Sequence, residues 1–120
     1  MHLVATALIL VVAIEHLWFL TLEMLLWQQP IGLRTFANTQ EKAADTAVLA
    51  AKQGLYNCFL AAGLIFSLVY PEPAAAKAIA IFFLACVVVA GAYGGWSVSR
   101  RILLVQAGPA LVALAAVLLA

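Results

Sequence analysis

The chain has 120 residues, of which 68% are hydrophobic and only 9% are charged, whereas soluble domains carry about 25% charged residues. So few charges cannot cover a surface that faces water, and the mean hydropathy of +1.14 indicates an integral membrane protein. The formal net charge of +1 provides no basic field for nucleic acid. We therefore expect the lipid bilayer, and no nucleic acid, among its partners.

Four apolar segments predict membrane-spanning helices, because a helix needs about 20 apolar residues to cross the hydrocarbon core. The predicted helices cover about residues 3–27, 39–70, 74–97 and 101–120. The short connections after the second and third segments favour antiparallel neighbours. The sequence therefore predicts an all-α fold, a four-transmembrane-helix up-and-down bundle that forms a single integral membrane domain over residues 1–120.

The first predicted helix carries three ionisable residues among apolar ones. His16 and Glu23 are seven residues apart, so they lie within about 20° of one another around a helix, with Glu15 at the edge of that stripe. Ionisable groups inside a membrane are costly and mark candidate functional sites. His2 shares the face of His16 but lies about 21 Å away by helical rise. One subunit therefore has no histidine pair for haem, and we predict neither a metal nor a cofactor.

The first connection is polar and contains Pro30 and Gly32. Asn38 and Glu41 have the spacing of a capping pair at the start of a helix. This spacing predicts that the second helix begins near Thr39, in water, and then enters the membrane.

The second predicted helix brings polar groups to the depth of those in the first. Lys52 lies about as deep as Glu23, which predicts an ion pair between them. Gln53 and Asn57 are four residues apart and share one face, and Lys52 and Tyr56 share the adjoining face. We expect these side chains to face protein or a wet cavity rather than lipid.

The third and fourth predicted helices contribute small residues and further polar groups. Gly91 and Gly95 have the spacing that lets membrane helices approach closely, and we expect this glycine face to pack against another helix or a second copy. Tyr93 and Gln106 lie in the same half of the membrane as the other polar groups. Pro109 should bend the fourth helix, because proline removes a backbone hydrogen bond.

The distribution of basic residues predicts the orientation. Arg34 and Lys42 lie in the first connection and Arg100 and Arg101 in the third, against Lys77 on the opposite side. Cytoplasmic loops are enriched in lysine and arginine. We therefore expect a multi-pass protein of the inner (plasma) membrane, with both termini outside and the polar groups in the cytoplasmic half.

Four stretches carry a family resemblance: HLWFLTLEMLLW, KQGLYNCFLAAGL, GAYGG and QAGPALV. With these, the whole chain resembles a family of small bacterial and fungal membrane proteins that is catalogued only as a domain of unknown function. The resemblance implies a four-helix membrane fold but no activity. The polar positions that match the family pattern are His16, Glu23, Gln53, Tyr56, Asn57 and Gln106.

Three functions remain open at this point. The polar groups could bind or transport a small amphipathic ligand or protons, at a site formed from Glu15, His16, Glu23, Lys52, Gln53, Tyr56, Asn57, Tyr93 and Gln106. Alternatively, the chain is an accessory or structural subunit of a membrane complex. The third alternative is an intramembrane acid–base enzyme such as an isomerase, although the sequence has no nucleophile–base pattern, phosphate loop or nucleotide motif. Because four short helices enclose little volume, we expect a homo-oligomer or a larger complex.

Overall fold

A computed structural model describes residues 2–97 and 99–120, and these residues are almost entirely helical. The helices are α1 (Leu3–Met24), α2 (Pro30–Thr35), α3 (Gln40–Val69), α4 (Pro73–Ser97) and α5 (Arg100–Leu119). All except α2 are long and apolar enough to cross a bilayer. The chain is thus a multi-pass membrane protein with the predicted all-α, up-and-down fold of four transmembrane helices.

The start of α3 is fixed by a side-chain cap. The hydroxyl of Thr39 accepts a hydrogen bond from the backbone N–H of Lys42 at 3.1 Å, which satisfies one of the free donors of the first turn. The sequence had favoured Asn38 for this role. Asn38 instead belongs to the turn that closes α2, since its N–H donates to the carbonyl of Leu33 at 2.9 Å.

A similar cap begins α4. The carboxylate of Glu72 accepts hydrogen bonds from the N–H groups of Ala74 and Ala75, at 3.1 and 2.7 Å. Pro73 occupies the first helical position, where its missing N–H removes no helical hydrogen bond. This cap accounts for the short and sharp connection between α3 and α4.

The chain forms two compact units. Unit 1 combines the chain up to Ile14 with Leu60–Ala120, and unit 2 is Glu15–Phe59. Since α1 and α3 each continue through both units, unit 1 contains segments of all four long helices. Its buried core is aliphatic and rich in alanine, and consists of Ala5, Ile9, Val12, Ala13, Leu64, Ala80, Leu84, Val87, Ala110, Ala113 and Val117.

The glycine face of α4 packs against α5 within unit 1. A Cβ atom added to Gly91 would lie 2.7 Å from the backbone nitrogen of Ala107, and one added to Gly94 would lie 2.8 Å from Ile102. Gly95 is in similarly close contact with Leu103. These glycines therefore permit a close helix crossing inside the chain, and they do not offer a free face to a second copy.

The helix α5 contains a π-helical turn at Leu103–Ala107, directly before Gly108 and Pro109. Proline has no N–H to donate to the carbonyl four residues earlier. A π turn is one of the ways in which a helix accommodates such a missing hydrogen bond. The irregularity expected at Pro109 thus takes this form and includes Gln106.

Candidate functional site

Unit 2 is a helical hairpin made from the end of α1, the short α2 and the first half of α3. The buried face of α3 in this unit consists of small residues and one amide, namely Ala43, Ala50, Gly54 and Asn57. Their separations of seven, four and three residues follow the 3.5-residue repeat of closely packed helices. The residues of this repeat therefore form the face that α3 buries in unit 2.

At Gly54, α3 packs closely against the end of α1. A Cβ atom placed on Gly54 would lie 2.5 Å from the Cγ atom of Met24 and 3.3 Å from both the Cβ atom of Glu23 and the carbonyl oxygen of Leu20. Only glycine fits here without displacement of a neighbour. Glu23 therefore lies directly at the helix crossing.

A buried polar pair lies one turn further along α3. The side-chain amide of Asn57 donates a hydrogen bond from Nδ2 to Oε1 of Glu23, at 2.5 Å. Glu23 is 9% exposed and Asn57 is 5% exposed. The structure thus joins two of the residues that the sequence had singled out, and it gives the carboxyl group a neutral amide as a partner.

His16 lies two turns before Glu23 on α1 and is fully buried. Its imidazole ring contacts the ring of Phe19 in an edge-on arrangement, with 5.3 Å between the ring centroids. His16 and Glu23 are thus both buried, as expected for two residues on one stripe of α1.

Glu15 occupies the border between the buried and exposed sides of α1. Its side chain is half-buried. One of its carboxyl oxygens, Oε1, is buried and makes no hydrogen bond within the described residues. Most buried polar atoms have a hydrogen-bond partner, so this oxygen requires an explanation.

The structure does not bring Lys52 to Glu23. Lys52, Gln53 and Tyr56 are exposed, and the Lys52 ammonium lies 6.0 Å from the centroid of the Tyr56 ring. Lys52 precedes Gly54 by two residues and therefore points about 160° away from the buried face. Lys52 and Glu23 therefore form no ion pair. Their predicted depths match, but Lys52 lies on the exposed side of α3 and Glu23 packs against the buried side.

Tyr93 and Gln106 belong to unit 1. Tyr93 is exposed, and its ring lies 6.2 Å from that of Trp96. Gln106 is half-buried within the π-helical turn of α5.

Trp27 has a structural role that was not predicted from the sequence. The indole Nε1–H of Trp27 donates to the carbonyl oxygen of Ala43 at 3.1 Å and to the hydroxyl of Thr46 at 3.3 Å. Its ring also packs on Phe36, with 4.9 Å between centroids. These contacts close the base of the hairpin. The sequence feature that could have predicted this contact is the repeat of small residues in α3. It extends back to Ala43, which precedes the apolar part of that helix.

Comparison with known protein families shows which family this chain is related to. Residues 10–118 match the model of a family described as "Protein of unknown function (DUF1304)". The chain belongs to the DUF1304 family. The match covers every candidate site residue and leaves out His2. No curated protein and no solved structure matched the chain. The function of this DUF1304 protein therefore has to be inferred from its own chemistry.

Proposed function

We propose that this DUF1304 protein is a proton-binding membrane protein whose central group is the carboxyl of Glu23, held by Asn57 and accompanied by His16. The observation that carries the proposal is the buried hydrogen bond between Asn57 and Glu23. In this pair a titratable group is buried in the hairpin beside a neutral partner.

The cost of burying charge supports a proton as the bound species. A carboxylate buried in protein is costly, and a partner without an opposite charge does not offset that cost. A neutral carboxyl group costs far less to bury. Uptake of a proton by Glu23 therefore stabilises the buried arrangement, whereas loss of the proton favours contact with water or with a cation.

The location of the site also suits exchange with one side of the membrane. Glu23 precedes the last residue of α1, Met24, so it lies near the first connection. Arg34 in that connection and Lys42 in the first turn of α3 favour the cytoplasm for this side. The proposed site is therefore in the cytoplasmic half of the inner (plasma) membrane, with both termini outside.

Infrared spectroscopy of the purified protein in lipid vesicles tests the proposal directly. As the pH is raised, we expect the carbonyl-stretch signal of a protonated carboxyl group to disappear, and we expect the Glu23→Gln variant to lack that component. Glu41→Gln is the matched control, because Glu41 is exposed in the first turn of α3. A spectrum that Glu23→Gln leaves unchanged would rule out proton binding at this site.

A second experiment separates binding from transport. Vesicles that contain a pH-sensitive dye are given a proton gradient, and the rate of proton entry is compared for wild type, Glu23→Gln and Glu41→Gln. A rate that falls only in Glu23→Gln indicates that the site carries protons across the membrane. Equal rates together with a positive infrared result indicate a binding site without transport.

The alternative is an accessory or structural subunit, and one observation favours it. The Glu23–Asn57 bond and the Trp27 contacts with Ala43 and Thr46 both fix the register of α1 against α3, as structural polar groups do. If this is their whole role, Glu23→Gln should lower stability and abolish association with a partner. The wild-type protein should then show no infrared signal of a protonated carboxyl group at Glu23. A homo-oligomer would then have to use a face other than the glycine face of α4.

A further inference from the structure

We propose that Glu15, together with Trp18 and Phe19, forms a separate site that binds a lipophilic molecule through a neutral hydroxyl group. This inference does not rest on proton binding at Glu23. Glu15 is eight residues away on the same helix, which is about 12 Å by helical rise.

The first observation is the unsatisfied carboxyl oxygen. Oε1 of Glu15 is buried without a hydrogen bond in the described part of the chain, and a buried acceptor without a donor is costly. The side chain as a whole is only half-buried, so part of it is accessible at the edge of the buried face of α1. The terminal torsion of glutamate is broad, so a small rotation can present either oxygen to a molecule at that edge.

The second observation is the aromatic character of this edge. Trp18 and Phe19 follow Glu15 by three and four residues, so all three side chains lie on the same side of α1. Trp18 is 45% exposed. The ring of Phe19 is held in place by its edge-on contact with His16. Two rings beside a carboxyl group suit a ligand with an apolar or aromatic body and one polar atom.

The depth of Glu15 determines the chemical class. Glu15 lies near the middle of the 22-residue helix α1, about 14 Å by helical rise from the end at Met24. Charged headgroups remain at the membrane surface, because a charge near the bilayer centre is costly. A neutral hydroxyl on a molecule that dissolves in hydrocarbon can reach this depth. A hydroxyl also both donates and accepts, so it pairs with a carboxyl group in either protonation state.

Carbodiimide labelling of the wild-type protein tests the site. Dicyclohexylcarbodiimide dissolves in lipid and reacts with carboxyl groups, and mass spectrometry identifies the modified residue. We expect Glu15 to be modified in lipid vesicles, and we expect octylphenol to slow this modification. The methyl ether of octylphenol is the matched probe, since it has the same body without the hydroxyl donor, and it should protect much less.

Direct binding of the two probes to variants completes the experiment. We expect wild type to bind octylphenol about fivefold more tightly than the ether, as one hydrogen bond provides. Glu15→Leu should remove this preference, and the control Glu41→Leu should retain it. Glu23→Gln should also retain it, so this result is independent of the proton site.

Three outcomes would overturn the inference. These are an unreactive Glu15 in the folded protein, equal protection by phenol and ether, or a preference for the phenol that persists in Glu15→Leu. If Glu15→Leu does not fold, the labelling experiment on wild type still decides the question. Glu15→Met, which keeps the length of the side chain but removes the hydrogen-bonding oxygens, then replaces Glu15→Leu in the binding measurement.

Discussion

Asn57 is the one polar residue that the structure describes on the face that α3 buries in unit 2. The other buried positions of α3 in this unit are alanine or glycine, while Asn57 carries an amide that needs a partner and finds it in Glu23. A buried polar pair of this kind depends on both members, because removal of one leaves the other without its hydrogen bond. The two residues therefore act as one group.

This dependence gives a prediction for the pair. Asn57→Leu should lower the free energy of unfolding by about 1–3 kcal/mol, because Glu23 is left buried without its donor. The double variant Asn57→Leu with Glu23→Leu should lose less than the sum of the single variants, by about 0.5–3 kcal/mol. Reversible unfolding in mild detergent measures these energies. Strict additivity would show that the hydrogen bond contributes nothing in solution.

Lys52 gives the contrasting prediction. Because Lys52 is exposed and forms no ion pair with Glu23, Lys52→Met should change the free energy of unfolding by less than about 0.5 kcal/mol. The same unfolding assay provides the measurement, with Asn57→Leu as the positive control. A loss as large as that of Asn57→Leu would mean that the ammonium reaches a buried partner.

At the residue scale, the sequence could predict which groups are polar, but not which of them pair. Hydropathy places Glu23 and Lys52 at matching depth. The small residues of α3, Gly54 among them, determine which face of this helix is buried. Asn57 lies on that face and Lys52 does not. The pattern that decides the pairing is thus the spacing of the small residues.

At the scale of helices, Trp27 connects the end of α1 to the start of α3. Trp27→Phe keeps a ring against Phe36 but removes the N–H that binds the carbonyl of Ala43. We expect a loss of about 0.5–1.5 kcal/mol in unfolding free energy. Trp96→Phe is the control, because Trp96 is 84% exposed. Equal effects of the two changes would contradict the assigned role of Trp27.

The crossing of α4 and α5 supports a further prediction. Gly91→Ala places a methyl group against the backbone of Ala107, which cannot move as a flexible side chain can, so it should destabilise by about 1–3 kcal/mol. Gly108→Ala is the matched control, because an added Cβ there meets nothing within 4 Å. Thermal unfolding compares the two. A tolerated Gly91→Ala would mean that the helices are further apart than described.

The helices themselves could be predicted from hydropathy and turn residues, and most of their ends lie close to the expected positions. The end of α1 differs most, at Met24 instead of Trp27. The amides of Leu25 and Leu26 both donate to the carbonyl of Thr21, so the chain leaves the helix before Trp27. The π-helical turn could not be predicted, because Pro109 requires an adjustment without specifying its form.

At the scale of the whole molecule, the orientation in the membrane can be tested by labelling. In a variant with Cys58 and Cys86 replaced by alanine, single cysteines at Thr35 and Ser97 should react with an impermeant maleimide only from the cytoplasmic side. A cysteine at Glu72 should react only from outside. These expectations follow from the basic residues of the first and third connections. Reaction of Thr35 from outside would reverse the orientation and the location of the proposed proton site.

The division into two units has a consequence for biosynthesis. Unit 2 is continuous in sequence, so its hairpin can close as soon as the ribosome has released α3. The core of unit 1 joins Ala5 and Ile9 to Ala113 and Val117, which are made later, and contacts between residues so distant in sequence form slowly. We expect chains stalled before α5 to hold a native hairpin while they expose the first turns of α1. Synthesis of α5 should therefore be the step that buries Ala5 and Ile9.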